Sequence, residues 1–317
     1  MWRYIIQRLL ALVPVVLIVS IAAFAFIHFL PGDPVIALIG PEAGTATPET
    51  IAARKHDLGL DRPLPMQYLD WLGSAVRGDL GQSAVTKQKI TEALQDRFPV
   101  TLHLAVASFL VAISIALPTG IISAYKRNGL LDRVLTVLAL TGVAMPSFWL
   151  GILLILLFAV QLQWLPPSGF VSITTDPIDC LRHLILPAVS LGMVQAAVIM
   201  RQVRSSLLEV LREDYVRTAR AKGLSERVVT LKHGLRNALL PVVTVVGIQV
   251  SALLGGSVVT ETVFAMPGMG RYAVDAIFIR DYPVVQAVVL VTALVVVLAN
   301  LLTDLSYAFL DPRIQYS

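Results

Sequence analysis

The sequence predicts an all-α membrane protein with six transmembrane helices and a folded segment outside the membrane after the first of them. Three observations carry that prediction. The 317 residues are 56% hydrophobic and only 15% charged, with a mean hydropathy of +0.76, whereas charged residues make up about a quarter of an ordinary soluble domain. Six stretches free of Lys, Arg, Asp and Glu each approach or exceed the length, about 20 residues, that a helix needs to cross a bilayer. Lys and Arg also gather on alternate connections between those stretches, which fixes an orientation.

The first stretch, Leu9 to Pro31, follows Arg3 and Arg8. Its start resembles a signal peptide, but the apolar run exceeds the roughly 7 to 15 residues of such regions, so it is read as a retained span. The others are Val100 to Tyr125, Val134 to Pro167, Leu184 to Met200, Ala238 to Thr260 and Tyr282 to Thr303. The third is longer than one crossing needs, holds Pro146 and closes at Pro166-Pro167, which suggests a kinked helix with an interfacial extension. The fourth, at 17 residues, is the shortest. Residues 1–30 thus hold the tail and first span, 31–98 the external segment, and 99–317 a core of five spans.

Across the short connections, fifteen Lys and Arg lie on the side of both termini and of the loop 201–236, against three on the other. That asymmetry puts the termini and the loop in the cytoplasm and the segment 31–98 outside. The outer segment carries seven basic and nine acidic residues, with turn signals at Pro31-Gly32-Asp33-Pro34, Gly40 to Pro48, Asp61-Arg62-Pro63 and Gly78-Asp79-Leu80-Gly81. Met66 to Val76 places Tyr68, Leu69, Leu72 and Val76 at helical spacing beside Trp71, as a helix lying on the outer surface would. In the last outer loop, Met266-Pro267-Gly268-Met269-Gly270-Arg271 breaks the chain before a short apolar helix pattern at Ala273, Ile277 and Phe278. A re-entrant segment has this form, and irregular backbone at membrane depth is tolerated only against protein or a cavity, so these residues are candidates for a pathway or gate.

The loop Arg201 to Arg236 sets nine Lys and Arg against four carboxylates. Ser206 to Arg220 contains no Gly or Pro and repeats Leu208, Leu211, Tyr215 and Ala219 at helical spacing, which predicts one helix. Arg217, Arg220 and Lys222 crowd its last turn and Gly223 ends it, after which Leu224 to Leu235 restarts with Val228, Leu231 and Leu235 on one face. A basic loop that only sets orientation is the simpler reading, but a capped helical pair with an apolar face is more than orientation requires.

The chemistry that is missing narrows the function. One cysteine, Cys180, excludes an internal disulfide framework and a thiolate cluster, and the five histidines show no ligand spacing. There is no phosphate-binding loop, no H-E-x-x-H and no G-x-S-x-G, so no catalytic residue, metal ligand or cofactor site is assigned to this chain. Ionisable groups within the spans are few: His28, His103, Glu261 and Asp304, all towards span ends. An ion-coupled carrier or channel would need midplane acids or a charged ring, and is disfavoured.

The run Glu213-Asp214-Tyr215-Val216-Arg217-Thr218-Ala219-Arg220-Ala221-Lys222-Gly223-Leu224, with His233-Gly234-Leu235-Arg236-Asn237-Ala238-Leu239-Leu240-Pro241 after it, resembles the loop signature of ABC importer permeases. It is similar in particular to the first permease of the oligopeptide, dipeptide and nickel branch. Leu58-Gly59-Leu60-Asp61, Gly78-Asp79-Leu80-Gly81, Pro267-Gly268-Met269-Gly270-Arg271 and Asp281-Tyr282-Pro283-Val284 extend the likeness along the chain. Arg217, Thr218 and Ala219 stand where the general motif has Glu-Ala-Ala. The resemblance implies a type I importer permease in the bacterial inner membrane, paired with a second homologous permease. Two ATP-binding cassette subunits would bind ATP and Mg and receive the coupling loop, with Asp214, Tyr215, Arg217, Thr218, Ala219, Arg220, Lys222 and Gly223 at the contact. An extracytoplasmic binding protein would deliver substrate near Trp71 and Tyr68; lipid, and no nucleic acid, completes the partners. Di- or oligopeptides are the implied substrates, with glutathione or nickel chelates as the alternative.

Overall fold

The computed structural model describes residues 2–28, 49, 56 and 61–310. The turn signals at 31–34 and 40–48, the motif at 58–60 and Arg313 lie outside the described residues, as do the side chains of His28 and Asp304. Among the described residues the regular elements are helical: α1 (Trp2–His28), α2 (Leu64–Val76), α3 (Ile90–Tyr125), α4 (Leu130–Ala144), α5 (Ser147–Gln161), α6 (Pro177–Val210), α7 (Asp214–Ala221), α8 (Glu226–Val263), α9 (Met269–Phe278) and α10 (Tyr282–Leu310). One isolated antiparallel bridge joins Gln82 to Lys89. Five of these helices are long and apolar enough to cross a membrane, and the pair α4 and α5 makes six if counted as one span.

That pair departs from the expected kink. The chain stops at Ala144, runs extended through Met145 and Pro146, and restarts at Ser147 with a bend of 104°. Proline disfavours the helical region at its predecessor and supplies no N–H, which favours the break at this point. The end of α5, Ile155–Gln161, is π-helical. The fourth stretch, short in sequence, belongs to a helix of 34 residues, because Arg201 and Arg204 end the apolar run without ending the backbone hydrogen-bond ladder.

The chain divides into two compact units. One comprises α3 from Leu102, the helices α4 to α8 and the chain from Ala299. Its hub is α6, which packs on α8, α4 and α5. Asp176 caps α6 by accepting from the Ile178 and Asp179 N–H groups, and Pro177 opens the first turn where no N–H is needed. Small residues let the backbones approach: a Cβ on Gly192 would lie 2.6 Å from the Ser108 carbonyl oxygen, and one on Gly120 would lie 2.8 Å from Val203. In a membrane this close packing replaces the hydrophobic effect as the association force. Ala112, Ala116, Ala139, Ala196, Ala197 and Ile199 form the core at that level.

The other unit comprises α1, α2, the chain to Thr101, and α9 with α10 up to Leu298. Ile90 and Leu94 at the start of α3 pack with Met269 and Ala276 of α9 and Val284 to Val288 of α10. The outer helix, read from sequence as 66–76, lies on α1: Tyr68 and Ser20 share a 2.7 Å hydroxyl hydrogen bond, and Phe24 meets Tyr68 and Trp71 at 5.6 and 5.8 Å between ring centroids.

Candidate functional site

The loop 201–236 is built on the end of α6. The sequence pattern suggested a single helix over 206–220, but α6 ends at Val210 and α7 begins at Asp214. Two interactions favour the break. Val216 and Ala219 are buried with Val229 and are packed by Val210 and Leu211, which a straight helix would carry away from them. The Arg220 guanidinium donates to the Leu211 carbonyl at 3.2 Å, satisfying an acceptor left free at a helix end. Leu208 and Tyr215 of the predicted apolar stripe therefore belong to different helices, with Leu211 in the turn between them. The second helix of the expected pair is the start of α8: one turn at Glu226–Val228, a π-helical segment Val229–Gly234, then a continuous helix to Val263.

Gly223 has φ +78, so the glycine that ends α7 sits in the left-handed region that disfavours a Cβ. Arg220 also grips Glu226 across this turn, with Nε to Oε1 at 2.8 Å. Tyr215 reaches the opposite way, donating to the His233 carbonyl at 3.3 Å and accepting from Asn237 at 2.8 Å. Thr218 bonds back to the Asp214 carbonyl, and Arg217 pairs with Asp214 at 3.1 Å. The predicted loop residues are thus brought together on one short helix, divided by role. Ala219 faces inward and seats the helix, Arg220 and Tyr215 clamp it, and Asp214, Arg217, Thr218, Lys222 and Gly223 are exposed. A charged helix pinned at both sides in this way moves together with the end of α6 and the start of α8.

Sequence reading missed the anchor behind this loop. Arg204 of α6 donates from Nε to Asp132 Oδ1 at 2.7 Å and from Nη2 to Oδ2 at 2.9 Å, a bidentate pair with α4. Ser123 and the Asn128 N–H also donate to that carboxylate. Asp132 is buried, so α3, α4 and α6 meet at one neutralised charge. The signal available was a lone Asp in an apolar helix, but nothing in the sequence named a partner 72 residues away.

In the other unit, Pro267 and Gly268 lead extended chain into α9, and the Met269 N–H donates to Thr101 Oγ1 at 2.9 Å. Gly268, Met269 and Gly270 are buried, while Arg271 pairs with Asp275 at 3.8 Å. Burial pushes the Tyr272 phenol above its ordinary value, and the Arg97 guanidinium, 4.3 Å from the ring centroid, opposes that shift. Met266, placed in the first unit, is fully buried and its N–H donates to the Glu261 carbonyl. Asp281 accepts hydrogen bonds from Ser83 Oγ and from the Ala84 N–H at 3.1 Å, so the motif 281–284 and the loop after 78–81 are one structure. Trp71 and Tyr68 are turned towards α1, and the exposed apolar side chains of α2 are Leu64, Met66, Leu69 and Val76.

Two family models match this chain, the binding-protein-dependent transport system inner membrane component over residues 116–316 and the N-terminal domain of the same membrane components over residues 1–105. The glutathione transport system permease protein GsiC of Pectobacterium atrosepticum is 48% identical over 316 residues, all of both chains. The protein of the same name from Escherichia coli K12 is 46% identical over the same span. Among solved structures, an inward-facing form of the MetNI methionine ABC transporter superposes with a TM-score of 0.59 at 21% identity, over 69% of this chain and 96% of that one, a likeness of fold alone. Matched by family models in both parts of its sequence and by relatives from end to end, the chain belongs to the binding-protein-dependent inner-membrane transport components, as an ABC importer permease of the peptide and nickel family.

Proposed function

We propose that this permease carries short peptides inward, with glutathione the first substrate to test, and that α7 is the helix through which an ATP-hydrolysing partner drives it. The observation that carries the substrate class is identity of 46–48% along the full length with permeases named for glutathione transport. The coupling role is supported by a short helix with an exposed charged face, clamped by Arg220 and Tyr215, in a chain without a phosphate-binding loop. ATP and Mg then belong to two partner ATPase subunits, a second homologous permease completes the membrane part, and an external binding protein delivers the peptide. The basic asymmetry puts both termini and α7 in the cytoplasm. The face of α2, with Tyr68 and Trp71 behind it, is the surface for the binding protein, and Met266, Pro267, Gly268, Gly270 and Arg271 border the pathway.

Uptake of labelled glutathione by cells expressing the complete system, in a host without other glutathione importers, tests the substrate. Uptake of a labelled dipeptide without uptake of glutathione would replace glutathione with another short peptide as substrate. Gly223→Val tests the coupling. A Cβ at Gly223 meets nothing within 4 Å, so the substitution acts through backbone conformation alone. It costs about 1 kcal/mol or more of the observed turn and is expected to abolish uptake at normal membrane levels. Unchanged uptake would reduce the loop to an orientation signal.

A further inference from the structure

On the face of the first unit that carries α7 there is a cleft of about 570 Å³ between the ends of α3, α6 and α8. Its ionic lining is Lys126, Arg127, Arg212 and Arg220 against Glu226 alone, a net charge of +3. Arg220 and Glu226 satisfy each other. Among the described residues Lys126, Arg127 and Arg212 have no carboxylate partner, so three cations border one opening without a counter-charge. The position of the cleft matters as much as its charge. Tyr125 is the last residue of the apolar run Val100 to Tyr125 and lines the cleft, with Lys126 5.5 Å from its ring centroid. Aromatic residues at the end of a span mark the membrane boundary. Beside it the apolar side chains of Ile122, Leu130 and Leu131 are 43%, 79% and 54% exposed. Cationic lining and exposed apolar side chains thus stand within a few residues of one another where the apolar run ends.

We propose that this cleft binds the phosphate of an anionic phospholipid headgroup, with the acyl chains against the apolar surface beside it. Guanidinium and ammonium groups are the natural donors to phosphate, and a basic pocket between helix ends at the membrane surface is where such headgroups concentrate. Free phosphate shares the headgroup chemistry but makes no use of Ile122, Leu130 and Leu131. Arg220 and Glu226 form one wall of the cleft and also clamp α7, so an occupied cleft steadies the coupling helix and makes transport depend on lipid charge. The binding claim rests on the membrane reading of the chain, and neither on which face is cytoplasmic nor on what α7 docks into.

The test uses the assembled importer in nanodiscs of zwitterionic lipid, titrated with short-chain phosphatidylglycerol, short-chain phosphatidylcholine or inorganic phosphate. Phosphatidylglycerol is expected to bind and phosphatidylcholine not to. Each surface cation contributes about fivefold to anionic lipid affinity, so Lys126→Gln with Arg127→Gln is expected to weaken binding about 30-fold. Arg227→Gln with Arg236→Gln, which removes equal charge from the loop 201–236 outside the cleft, is expected to leave it unchanged. Should the first double variant fail to assemble, Arg212→Gln alone is read in its place, with an expected loss of about fivefold. Equal binding of the two lipids, equal loss in the test and control variants, or displacement of phosphatidylglycerol by inorganic phosphate at matched concentration each overturns the proposal. Because these readouts need neither transport nor ATP, their failure leaves the coupling role of α7 untouched, and loss of coupling leaves them untouched.

Discussion

Among the described residues each unit buries one aspartate at a junction of segments, and the two are held in opposite ways. Asp132, 3% exposed, is gripped by a guanidinium fork from Arg204 with Ser123 and the Asn128 N–H in support. Asp281, 1% exposed, receives only neutral donors, the Ser83 hydroxyl and the Ala84 N–H, and stands at the start of α10 where the helix dipole favours a negative charge. The first arrangement fixes three helices of the bundle in one relative pose, because the charge is tolerable only while the fork is in place. The second ties a loop to a helix end through a backbone N–H and a hydroxyl, of which the hydroxyl can also accept. Under the coupling role proposed for α7, the charged knot is the rigid element behind it and the neutral knot the more adaptable tie.

The largest test of this contrast is Arg204→Met. It leaves Asp132 buried without its counter-charge, and removal of one member of a buried pair typically costs about 3–5 kcal/mol. Arg204 is 28% exposed on its side chain, so the lower end, about 3 kcal/mol, is expected in equilibrium unfolding of the permease in mixed micelles. Arg204→Met combined with Asp132→Leu removes both charges and is expected to be more stable than the single variant. A single variant within about 1 kcal/mol of the parent would show that water, not Arg204, neutralises Asp132.

What could be foreseen and what could not follows the range of the interactions. The spans were legible because a bilayer demands long apolar runs, and Gly223 was legible because ending a helix in the left-handed region is a local requirement. Membership of the permease family was legible from contiguous motifs. The break of α6 at Leu211 was not, since Leu208, Leu211, Tyr215 and Ala219 satisfy a helical period that the packing of Val216 on Val210 and Leu211 overrides. The Pro146 break was expected only as a kink, because sequence gives the site of a discontinuity and not the 104° through which neighbouring helices hold it. Neither aspartate knot was visible: their partners lie 72 and about 200 residues away, and the π-helical turns at 155–161 and 229–234 carry no residue signature.

The same substitution at both sites sharpens the comparison. Asp132→Asn turns an amide N–H2 or its oxygen towards a guanidinium that can only donate, so one donor is always opposed by another. Asp281→Asn meets a hydroxyl that can accept as readily as it donates, and keeps an oxygen for the Ala84 N–H. Expected losses are about 2 kcal/mol at Asp132 and about 1 kcal/mol at Asp281, in the same unfolding measurement. Equal losses would mean that the charge of Arg204 is not what distinguishes the two knots.

The smallest effects separate the hydroxyls that accompany each carboxylate. Ser83 is a working part of its knot: it donates to Asp281 and its oxygen accepts from the Thr86 N–H at 2.8 Å, so Ser83→Ala strands both. The expected cost is about 1 kcal/mol, with faster proteolysis of the loop after Gly81. Thr136 stands 3.5 Å from Asp132 Oδ1, at the limit of a hydrogen bond, and that oxygen already accepts from Arg204 Nε and Ser123. Thr136→Val keeps the shape of the side chain and is expected to change stability by less than about 0.5 kcal/mol. A loss at Thr136 as large as that at Ser83 would mean that Asp132 depends on its weak donors as Asp281 does, and the distinction between a rigid charged anchor and an adaptable neutral tie would fall.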